Sequence, residues 1–402
     1  MTMTGATASS QPHRAVPHRR LKIALFSDTF PPQVNGVAHV VAQAASCMAD
    51  LGHDVHVLTA SQGSKEFLED LSRSKYVVHN MHSVPSAVYP DLRLTVPMAT
   101  NALNLKGWQP NIVHTHTPFG VGWAAVRCAK RFGVPLIGTH HTFFDTYLKH
   151  IRLDGKLTRG FSWKLTVKYL AQCDLVLSPS RSLCEDLKKN GLETPMCVAP
   201  NPIDTVLFHG PRSCTGDINR GPRLIYMGRL SLEKSLDHVI TAFSYVNREI
   251  PDSTLTLIGD GPERWALEQQ ALGLGLTRKV RFTGLLRGEA LADGLRAGDL
   301  FVTASKTENV PLSVLEAMAC GLPVAAVAMK GMPEIVHDGV NGLLSRPDRP
   351  EEMARRIVAL LRDPDTLGRY SEAAEEFAKH FSQERVMAEW EEIYQSVHAR
   401  SL

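Results

Sequence analysis

The sequence predicts an α/β protein built from two doubly wound domains that face a cleft. Its 402 residues exceed the usual length of one domain, so the chain is long enough for two. Short runs rich in Val, Ile and Leu, typical of buried parallel strands, alternate with amphipathic helical stretches. This alternation begins twice, on either side of a polar segment rich in Gly and Pro at residues 208–222.

Each half supplies its own set of strands. We expect an N-terminal domain over residues 21–207, a linker over 208–222 and a C-terminal domain over 223–380. The strands predicted for the first domain are 22–27, 53–59, 111–116, 136–139, 175–178 and 196–199, and those for the second are 223–227, 254–258, 280–282, 300–303 and 323–327.

The composition excludes several classes of protein. With 44% hydrophobic and 21% charged residues the chain is neither disordered nor fibrous, and it lacks an apolar run long enough for a membrane span. Residues 1–20 lack an apolar core, so they predict a disordered lead-in rather than a signal peptide. Seven cysteines without a C-x-x-C pair indicate neither a disulfide framework nor a zinc ribbon. We expect a soluble, reduced, cytoplasmic protein.

Charge is unevenly distributed along the chain. Residues 1–200 hold 21 Lys/Arg and 13 Asp/Glu, a net charge of +8, whereas the remaining residues hold 23 and 28, a net charge of −5. A basic half joined to an acidic half indicates that one domain faces an anionic surface. The charge alone does not distinguish a membrane from a nucleic acid.

Ligands of such sheets bind beyond the carboxyl ends of the strands. After the first strand, the loop from Asp28 leads through Gly36 into a helix, which is either an anion site or an ordinary turn. In the second domain Arg229 and Lys234 follow a strand directly. Two cations so placed could hold a diphosphate, although a solvated surface pair is the alternative.

Two carboxylates flank the start of a later helix. Pro311 suits the first turn of a helix, so Glu308 precedes the helix and Glu316 lies inside it. Each could accept hydrogen bonds from the hydroxyls of a nucleotide sugar. The candidate donor-binding residues between these two carboxylates are Asn309, Val310, Pro311 and Leu312.

Two other patterns in the sequence argue against a metal and against a dinucleotide cofactor. Four histidines follow the predicted strands at the cleft, but they do not have a standard zinc spacing and lack a neighbouring carboxylate, so we expect no metal. We favour a single histidine that acts as a hydrogen-bonding or proton-transfer group. The sequence from Gly120 to Ala125 spells G-x-G-x-x-A, but no acidic residue follows at the distance a dinucleotide site needs. The four histidines are His114, His116, His140 and His141.

A basic stretch with interleaved aromatic residues follows the fourth predicted strand. Residues 149–168 contain six Lys/Arg against one Asp. The pattern suits an anionic bilayer, stacking on nucleic acid, or a plain solvated helix face. The candidate acceptor- or membrane-facing residues are His141, Tyr147, Lys149, Arg152, Lys156, Arg159, Phe161, Trp163, Lys164 and Lys168.

Taken together, these motifs resemble the retaining glycosyltransferases of family 4, which have the GT-B fold of two Rossmann-like domains. The pair Glu308 and Glu316 fits the family's E-x7-E signature. Four other segments are similar to family segments: GRLSLEK, IGDGPE, FTGLL and LEAMACGLPV.

The resemblance implies a role for each matching residue. Arg229 and Lys234 would neutralise the diphosphate of a nucleotide-sugar donor without a metal or another cofactor. Glu316 would bind the ribose, Glu308 the sugar, and His141 would lie near the reacting centre. Gly36 would let the loop approach the phosphate. The first domain would bind the acceptor, the second the donor, and residues 381–402 would form a helix that crosses back onto the first domain.

The acceptor is predicted from three further segments, DTFPPQVNGVA, YPDLRLTVP and HTFFDTYLKH, which resemble the diacylglycerol-glycosylating subgroup. The expectation is transfer of a hexose, glucose first, from a UDP-sugar to a lipid such as 1,2-diacylglycerol. The enzyme would be peripheral at the inner face of the cell membrane, with no nucleic-acid partner and no required oligomer.

Alternatives to this activity are a GDP-mannose-dependent transferase acting on a phosphatidylinositol-type lipid or a polysaccharide, a nucleotide-sugar epimerase or hydrolase, and a non-catalytic binding module. The chain departs from the family at three positions. Ser235 replaces a common Gly, Val310 a frequent aromatic residue, and Pro311 a frequent Gly.

Overall fold

The computed structural model describes residues 19–33, 35–60, 73–85, 93–95, 107–141, 155–210 and 220–401. Each half of the chain forms one mostly buried parallel sheet with helices around it, which confirms the predicted fold class. Tyr147, Lys149 and Arg152, predicted to face the acceptor or membrane, lie outside the described residues.

The N-terminal half builds a seven-stranded parallel sheet in the order β3-β2-β1-β6-β7-β8-β9, beside a two-stranded antiparallel hairpin, β4-β5. Strand β1 pairs with β2 on one side and β6 on the other, with Phe26 opposite Leu58 and Thr115. The elements are β1 Lys22–Ser27, α1 Gly36–Asp50, β2 Asp54–Thr59, β3 Val77–Asn80, β4 Ser83–Pro85, β5 Arg93–Thr95, β6 Ile112–Thr115, α2 Gly120–Phe132, β7 Leu136–Thr139, α3 Lys156–Leu170, β8 Leu175–Ser178, α4 Arg181–Lys189 and β9 Met196–Val198.

The C-terminal half builds a six-stranded parallel sheet in the order β12-β11-β10-β13-β14-β15. Its elements are β10 Arg223–Met227, α5 Leu236–Glu249, β11 Thr254–Ile258, α6 Arg264–Gly273, β12 Val280–Gly284, α7 Gly288–Arg296, β13 Leu300–Val302, α8 Leu312–Ala319, β14 Val324–Val327, α9 Met332–Ile335, β15 Gly342–Ser345, α10 Pro350–Leu361, α11 Pro364–Ala378 and α12 Gln383–Ser401.

The sequence pattern missed four strands: β3, β4, β5 and β15. Strand β3 lies at a sheet edge and is partly exposed, so it lacks the continuous apolar run of a central strand. The hairpin strands have only three residues each. Strand β15 is also an edge strand and opens on Gly342, whose added Cβ would lie 2.2 Å from the Val324 carbonyl oxygen.

The glycines of the G-x-G-x-x-A segment have a packing role. A Cβ on Gly120 would lie 2.0 Å from Thr95 Oγ1, and one on Gly122 would lie 1.9 Å from the Thr117 carbonyl oxygen. Glycine therefore lets α2 approach β5 and the loop after β6 closely.

The chain crosses between the two halves at two points that hydrogen-bond to each other. The Ile203 amide donates to the Phe381 carbonyl, and the Gln383 amide donates to the Ile203 carbonyl, both at 2.9 Å. Helix α12 then lies against the first half, where Trp390 and Tyr394 are fully buried in its core. None of the helices in the described ranges is both long and apolar enough to cross a bilayer.

Candidate active site

The predicted donor residues of the C-terminal half lie in the loops after β10 and β13 and in helix α8. The loop after β10 packs against the loop after β11: the Leu230 amide donates to the Asp260 carbonyl at 3.0 Å. A Cβ on Gly259 would lie 1.9 Å from the Gly228 carbonyl oxygen, and one on Gly261 2.3 Å from that of Leu230. The GRLSLEK and IGDGPE segments therefore form one tightly packed unit.

Arg229 and Lys234 are placed differently within this unit. Arg229 is exposed, and its carbonyl accepts a hydrogen bond from the Tyr226 hydroxyl at 3.2 Å. Lys234 is only about a quarter exposed and forms an ion pair with Glu308. Burial opposes the charge on Lys234, but Glu308 and other neighbours outweigh it and raise its pKa above the usual value. The ammonium is therefore charged at neutral pH.

Ser235 has a backbone conformation that favours Gly. Its backbone is left-handed, with φ 50° and ψ 45°, because it both ends the short 3-10 turn Leu232–Lys234 and begins α5. Gly adopts this conformation without steric cost, whereas serine does not. The substitution therefore leaves the turn intact at a cost in backbone strain.

The loop from Thr303 to Pro311 brings Glu308 to the cation. Ser305 Oγ donates to the Glu233 carbonyl at 3.1 Å, which joins this loop to the 3-10 turn. The Glu308 carbonyl accepts from the Gly331 amide at 3.3 Å. Val310 is buried, and Pro311 is the N-cap of α8, so the apolar replacements at these positions contribute to packing.

Glu316 is buried in α8, with 8% of its surface exposed. Burial raises the pKa of this carboxyl to about 7, with a smaller contribution from Asp204. A desolvated carboxylate is stabilised when hydroxyl donors hydrogen-bond to its charged form. Glu316 can therefore accept hydrogen bonds from hydroxyl groups of a ligand.

Gly36 lies across the cleft from α8. It opens α1, whose N-cap Asn35 accepts a hydrogen bond from the Ala38 amide at 2.9 Å. A Cβ on Gly36 would meet Leu312 Cδ1 at 3.8 Å, an ordinary contact. The protein therefore tolerates a side chain at this position, and any requirement for glycine would come from a ligand.

The four histidines form a cluster on the N-terminal side, in which His114, His116 and His140 are buried and His141 is partly exposed. His116 Nδ1 lies 3.0 Å from His141 Nε2, and the two rings are stacked. Burial lowers the pKa of His141 to about 4 and of His114 and His140 to about 3, and it lowers that of His116 well below its usual value. All four rings are therefore neutral at pH 7, so one ring of the close pair donates and the other accepts.

Helix α12 contacts this cluster through Tyr394 and Trp390. Tyr394 Oη lies 2.7 Å from His114 Nδ1, whose other ring nitrogen lies 2.7 Å from Thr139 Oγ1. The Trp390 ring stacks on that of His116, with centroids 6.1 Å apart. The crossing helix thus fixes the ring that contacts His141.

Sequence reasoning assigned no role to two buried side chains. Asp28 accepts hydrogen bonds from Thr117 Oγ1 at 2.6 Å and from the Val121 amide at 3.2 Å, so it holds the start of α2; burial raises its pKa to about 6. Asn201 is also buried, and it opposes the effect of burial on the pKa of His141. A polar residue directly after a buried strand was the available signal for Asp28.

Asn309 joins the two halves. It accepts a hydrogen bond from Ser180 Oγ, and its Nδ2 donates to the His141 carbonyl at 3.3 Å. The sequence placed Asn309 among the donor-binding candidates, but its contact with the first domain depends on the tertiary structure. Across the described ranges no group of three or more His, Cys, Asp and Glu side chains is arranged to hold a metal ion.

The basic aromatic stretch is divided by the helix α3. Phe161 and Leu165 are 63% and 52% exposed, and Lys164 and Lys168 are exposed beside them. Trp163 is turned about 200° from Phe161 on the helical wheel. It is partly buried and packs against the core instead, so it does not share the exposed face. Lys156 and Arg159 lie on this helix, but their side chains are not among those the structure describes.

Family models match both halves of the chain. Residues 34–207 match the model described as glycosyltransferase family 4, and residues 216–377 match glycosyl transferases group 1. An α-monoglucosyldiacylglycerol synthase of Streptococcus pneumoniae is 30% identical, over 89% of this chain and 84% of that protein. The chain belongs to glycosyltransferase family 4. It is thus a glycosyltransferase, as predicted.

Other relatives of this family 4 enzyme are named for different activities. A sulfoquinovosyl transferase of Arabidopsis thaliana is 27% identical over 88% of this chain and 69% of that protein. A GDP-mannose-dependent α-mannosyltransferase of Corynebacterium glutamicum is 28% identical over 81% and 77%. Among solved structures, the Anabaena protein HepE in complex with UDP superposes with a TM-score of 0.77, at 21% identity, over 94% of this chain and 100% of that one.

Proposed function

We propose that this family 4 enzyme transfers a hexose from a UDP-sugar to a membrane lipid such as 1,2-diacylglycerol, with glucose as the first donor to test. The observation that carries the proposal is the arrangement around α8. A charged Lys234 paired with Glu308 and a desolvated Glu316 flank one helix start, which lies opposite the Gly36 loop. This set of groups suits a nucleotide diphosphate joined to a sugar.

Each group then has a defined task. Arg229 and Lys234 bind the diphosphate, and Glu316 accepts hydrogen bonds from the ribose. Glu308 accepts hydrogen bonds from the sugar hydroxyls. A donor entering the site brings phosphate charge to Lys234, which frees Glu308 oxygens for the sugar. No divalent metal is part of this proposal.

The reaction breaks the bond between the anomeric carbon and the diphosphate oxygen and forms a bond from that carbon to the acceptor oxygen. Negative charge grows on the leaving diphosphate, and the two cations with the amides at the start of α8 stabilise it. The departing phosphate takes the proton of the acceptor hydroxyl as the acceptor attacks from the same face. His141 is neutral, so it orients the reacting groups by hydrogen bonding without adding charge.

The lipid acceptor is supported by the relatives and by the surface. The S. pneumoniae relative is a glucosyldiacylglycerol synthase by name, and the A. thaliana one transfers sulfoquinovose. On α3, Phe161, Leu165, Lys164 and Lys168 lie within about 100° of one helical face. Exposed apolar side chains beside lysines suit the interface of an anionic bilayer. We infer that α3 holds the enzyme at the membrane surface.

The deciding experiment for the reaction is a product screen by mass spectrometry. Purified enzyme is incubated with diacylglycerol in anionic liposomes and with UDP-glucose, UDP-galactose, UDP-sulfoquinovose and GDP-mannose in turn. We expect a glycosyl-diacylglycerol from UDP-glucose. A product from GDP-mannose alone, or nucleotide release without glycolipid, would contradict the proposal.

A matched pair of variants tests the site. Glu308→Gln should retain UDP binding in calorimetry and lose transfer by at least about a hundredfold, the scale of removing one group from a charge-stabilising site. Glu376→Gln, which alters an exposed ion pair with Lys379, should retain both UDP binding and sugar transfer. Transfer by Glu308→Gln at the normal rate would place the sugar elsewhere.

A second pair of variants tests the membrane surface. The double variant Phe161→Ser, Leu165→Ser should bind anionic liposomes about tenfold more weakly in sedimentation, because two exposed apolar side chains no longer enter the interface. The double variant Leu272→Ser, Leu274→Ser alters two exposed leucines at the end of α6 and should bind normally. Equal loss in both pairs, or binding insensitive to lipid charge, would contradict this placement.

A further inference from the structure

Helix α4 of the N-terminal half is held by the C-terminal half through an interaction outside the candidate donor site. Glu334 Oε2 accepts from the Arg181 amide and Glu334 Oε1 from the Ser182 amide, both at 2.8 Å. Lys330 Nζ lies 3.1 Å from Asp186 Oδ2 on the same helix. We call Glu334, Lys330 and their three partners on α4 the α4 clasp.

The physical chemistry of the α4 clasp favours a strong contact. First-turn amides have no partner within their own helix, so the Glu334 carboxylate satisfies two of them at once. A negative group at a helix N-terminus also interacts well with the helix dipole, and the 2.8 Å distances are those of charge-assisted hydrogen bonds. The ion pair is about three-quarters buried on both sides, which limits its screening by water.

The same segment that carries the clasp supports the donor loop. The Gly331 amide donates to the Glu308 carbonyl, and a Cβ on Gly331 would lie 1.9 Å from the Asn309 carbonyl oxygen. Asn309 in turn bonds Ser180, the N-cap of α4, and the His141 carbonyl. The clasp, the donor loop and the cleft histidine are therefore one connected set of contacts.

Backbone strain is concentrated around this set. Within the described ranges, three non-glycine residues have positive φ: Ser235 at 50°, Lys330 at 54° and Asp348 at 57°. Ser235 follows the lysine that pairs with Glu308, and Asp348 accepts from Lys306 of the donor loop at 2.8 Å. Strained residues persist where surrounding contacts hold them, and they are frequent at ligand clamps.

We propose that Glu334 and Lys330 are positioning residues that hold the cleft closed over the donor. The two chain crossings, at Ile203 and at Phe381 to Gln383, pair through their backbones and form the natural pivot. Rotation about this pivot would separate α9 from α4 and break the clasp while leaving both sheets intact. Closure brings Asn309 to His141 and limits access of water to the donor. The catalytic consequence rests on the proposed function; the closure itself does not.

The experiment measures closure and catalysis separately on the full chain. Small-angle scattering gives the radius of gyration with and without UDP, and kinetics give kcat and KM for the sugar donor and the ratio of hydrolysis to transfer. For Glu334→Ala we expect a larger radius of gyration. We also expect a KM about tenfold higher, the scale of losing hydrogen bonds to a charged group, with a smaller change in kcat. Hydrolysis relative to transfer should rise.

Companion variants keep the test decisive. Glu334→Gln retains the shape of the side chain and should show an intermediate radius and KM. Lys330→Ala and Asp186→Asn should change the radius of gyration and KM to the same extent. Their effects should not add in the double variant, because both remove the same ion pair. If Glu334→Ala fails to fold, these variants provide the result. The Glu376→Ala variant serves as an unaffected control.

The outcomes separate the two proposals. Normal radius, KM and hydrolysis ratio in Glu334→Ala and Lys330→Ala would overturn the clasp, as would a loss of thermal stability without any of these changes. The clasp would be supported and the proposed function contradicted if Glu334→Ala had an enlarged radius of gyration while the wild-type protein bound no UDP and transferred no sugar.

Discussion

The two sides of the cleft differ in how they treat charge. On the N-terminal side, burial lowers the pKa of His114, His140 and His141 to about 3 to 4 and that of His116 well below its usual value, so all four rings are neutral. On the C-terminal side, Lys234 stays charged against burial because Glu308 compensates it. Glu316 titrates near neutrality. One side thus offers hydrogen bonds, and the other offers charge.

This contrast has a structural cause. The histidines are surrounded by aromatic and aliphatic side chains of the first domain and of α12, so water does not solvate a proton on their rings. The donor loops of the other side place a cation and a carboxylate within ion-pairing distance. A charged side suits a diphosphate, and a neutral side suits an uncharged hydroxyl acceptor. The difference teaches that the two domains need not contribute alike to one reaction.

The largest effect is expected from removal of the Lys234 cation, which is paired with Glu308. Lys234→Met should lower kcat/KM by about a hundred- to a thousandfold, because the leaving diphosphate loses a cation and Glu308 loses its partner. Steady-state kinetics measure the loss. Lys306→Met, which removes an ion pair between Asp348 and the loop that carries Glu308, is the matched control and should keep most of the activity. Equal losses in both variants would show that charge at Lys234 has no special role.

A smaller effect is expected at Glu316, whose pKa lies near neutrality. A raised pKa means that the folded protein gains stability from the protonated form, which is present in full below about pH 4.5 and is lost as the pH rises to about 7. Glu316→Gln should therefore match the wild-type stability near pH 4.5 and exceed it by up to about 3 kcal/mol at pH 8.

Urea unfolding at several pH values measures this difference. Glu372→Gln, an exposed change on α11, should show no pH-dependent difference from the wild type. A constant difference between Glu316→Gln and the wild type at every pH would mean that the carboxyl is not desolvated. The same variant should bind UDP more weakly, because an amide accepts hydroxyl hydrogen bonds less well than a carboxylate.

The smallest effect is expected at Ser235, the residue with left-handed backbone after the 3-10 turn. Ser235→Gly should raise the free energy of unfolding by about 0.5 kcal/mol, because relief of the left-handed strain exceeds the entropy that glycine adds to the unfolded chain. Ser231→Gly, the same change at an extended φ of −141°, should lower stability. Thermal unfolding of both variants tests the sign. A loss of stability in Ser235→Gly would show that its hydroxyl contributes more than the strain costs.

Much of the fold could be predicted because its central strands are buried on both faces. Such strands carry continuous apolar runs, so β1, β6 and β10 were visible in the sequence, whereas the exposed edge strand β3 was not. The candidate donor residues were visible for a related reason. Charged side chains directly after a buried strand, such as Arg229, are placed by the strand itself.

The remaining features depend on contacts between distant parts of the chain. The bond from Asn309 to the His141 carbonyl, the cap that Glu334 places on α4, and Tyr394 beneath His114 each join residues more than 150 positions apart. The sequence by itself determined the two parallel sheets, the loops at their ends and the family, because local hydrophobic periodicity and short motifs specify them. Only the tertiary structure decided which charges are compensated and which histidines stay neutral, because burial and pairing arise when the two halves meet.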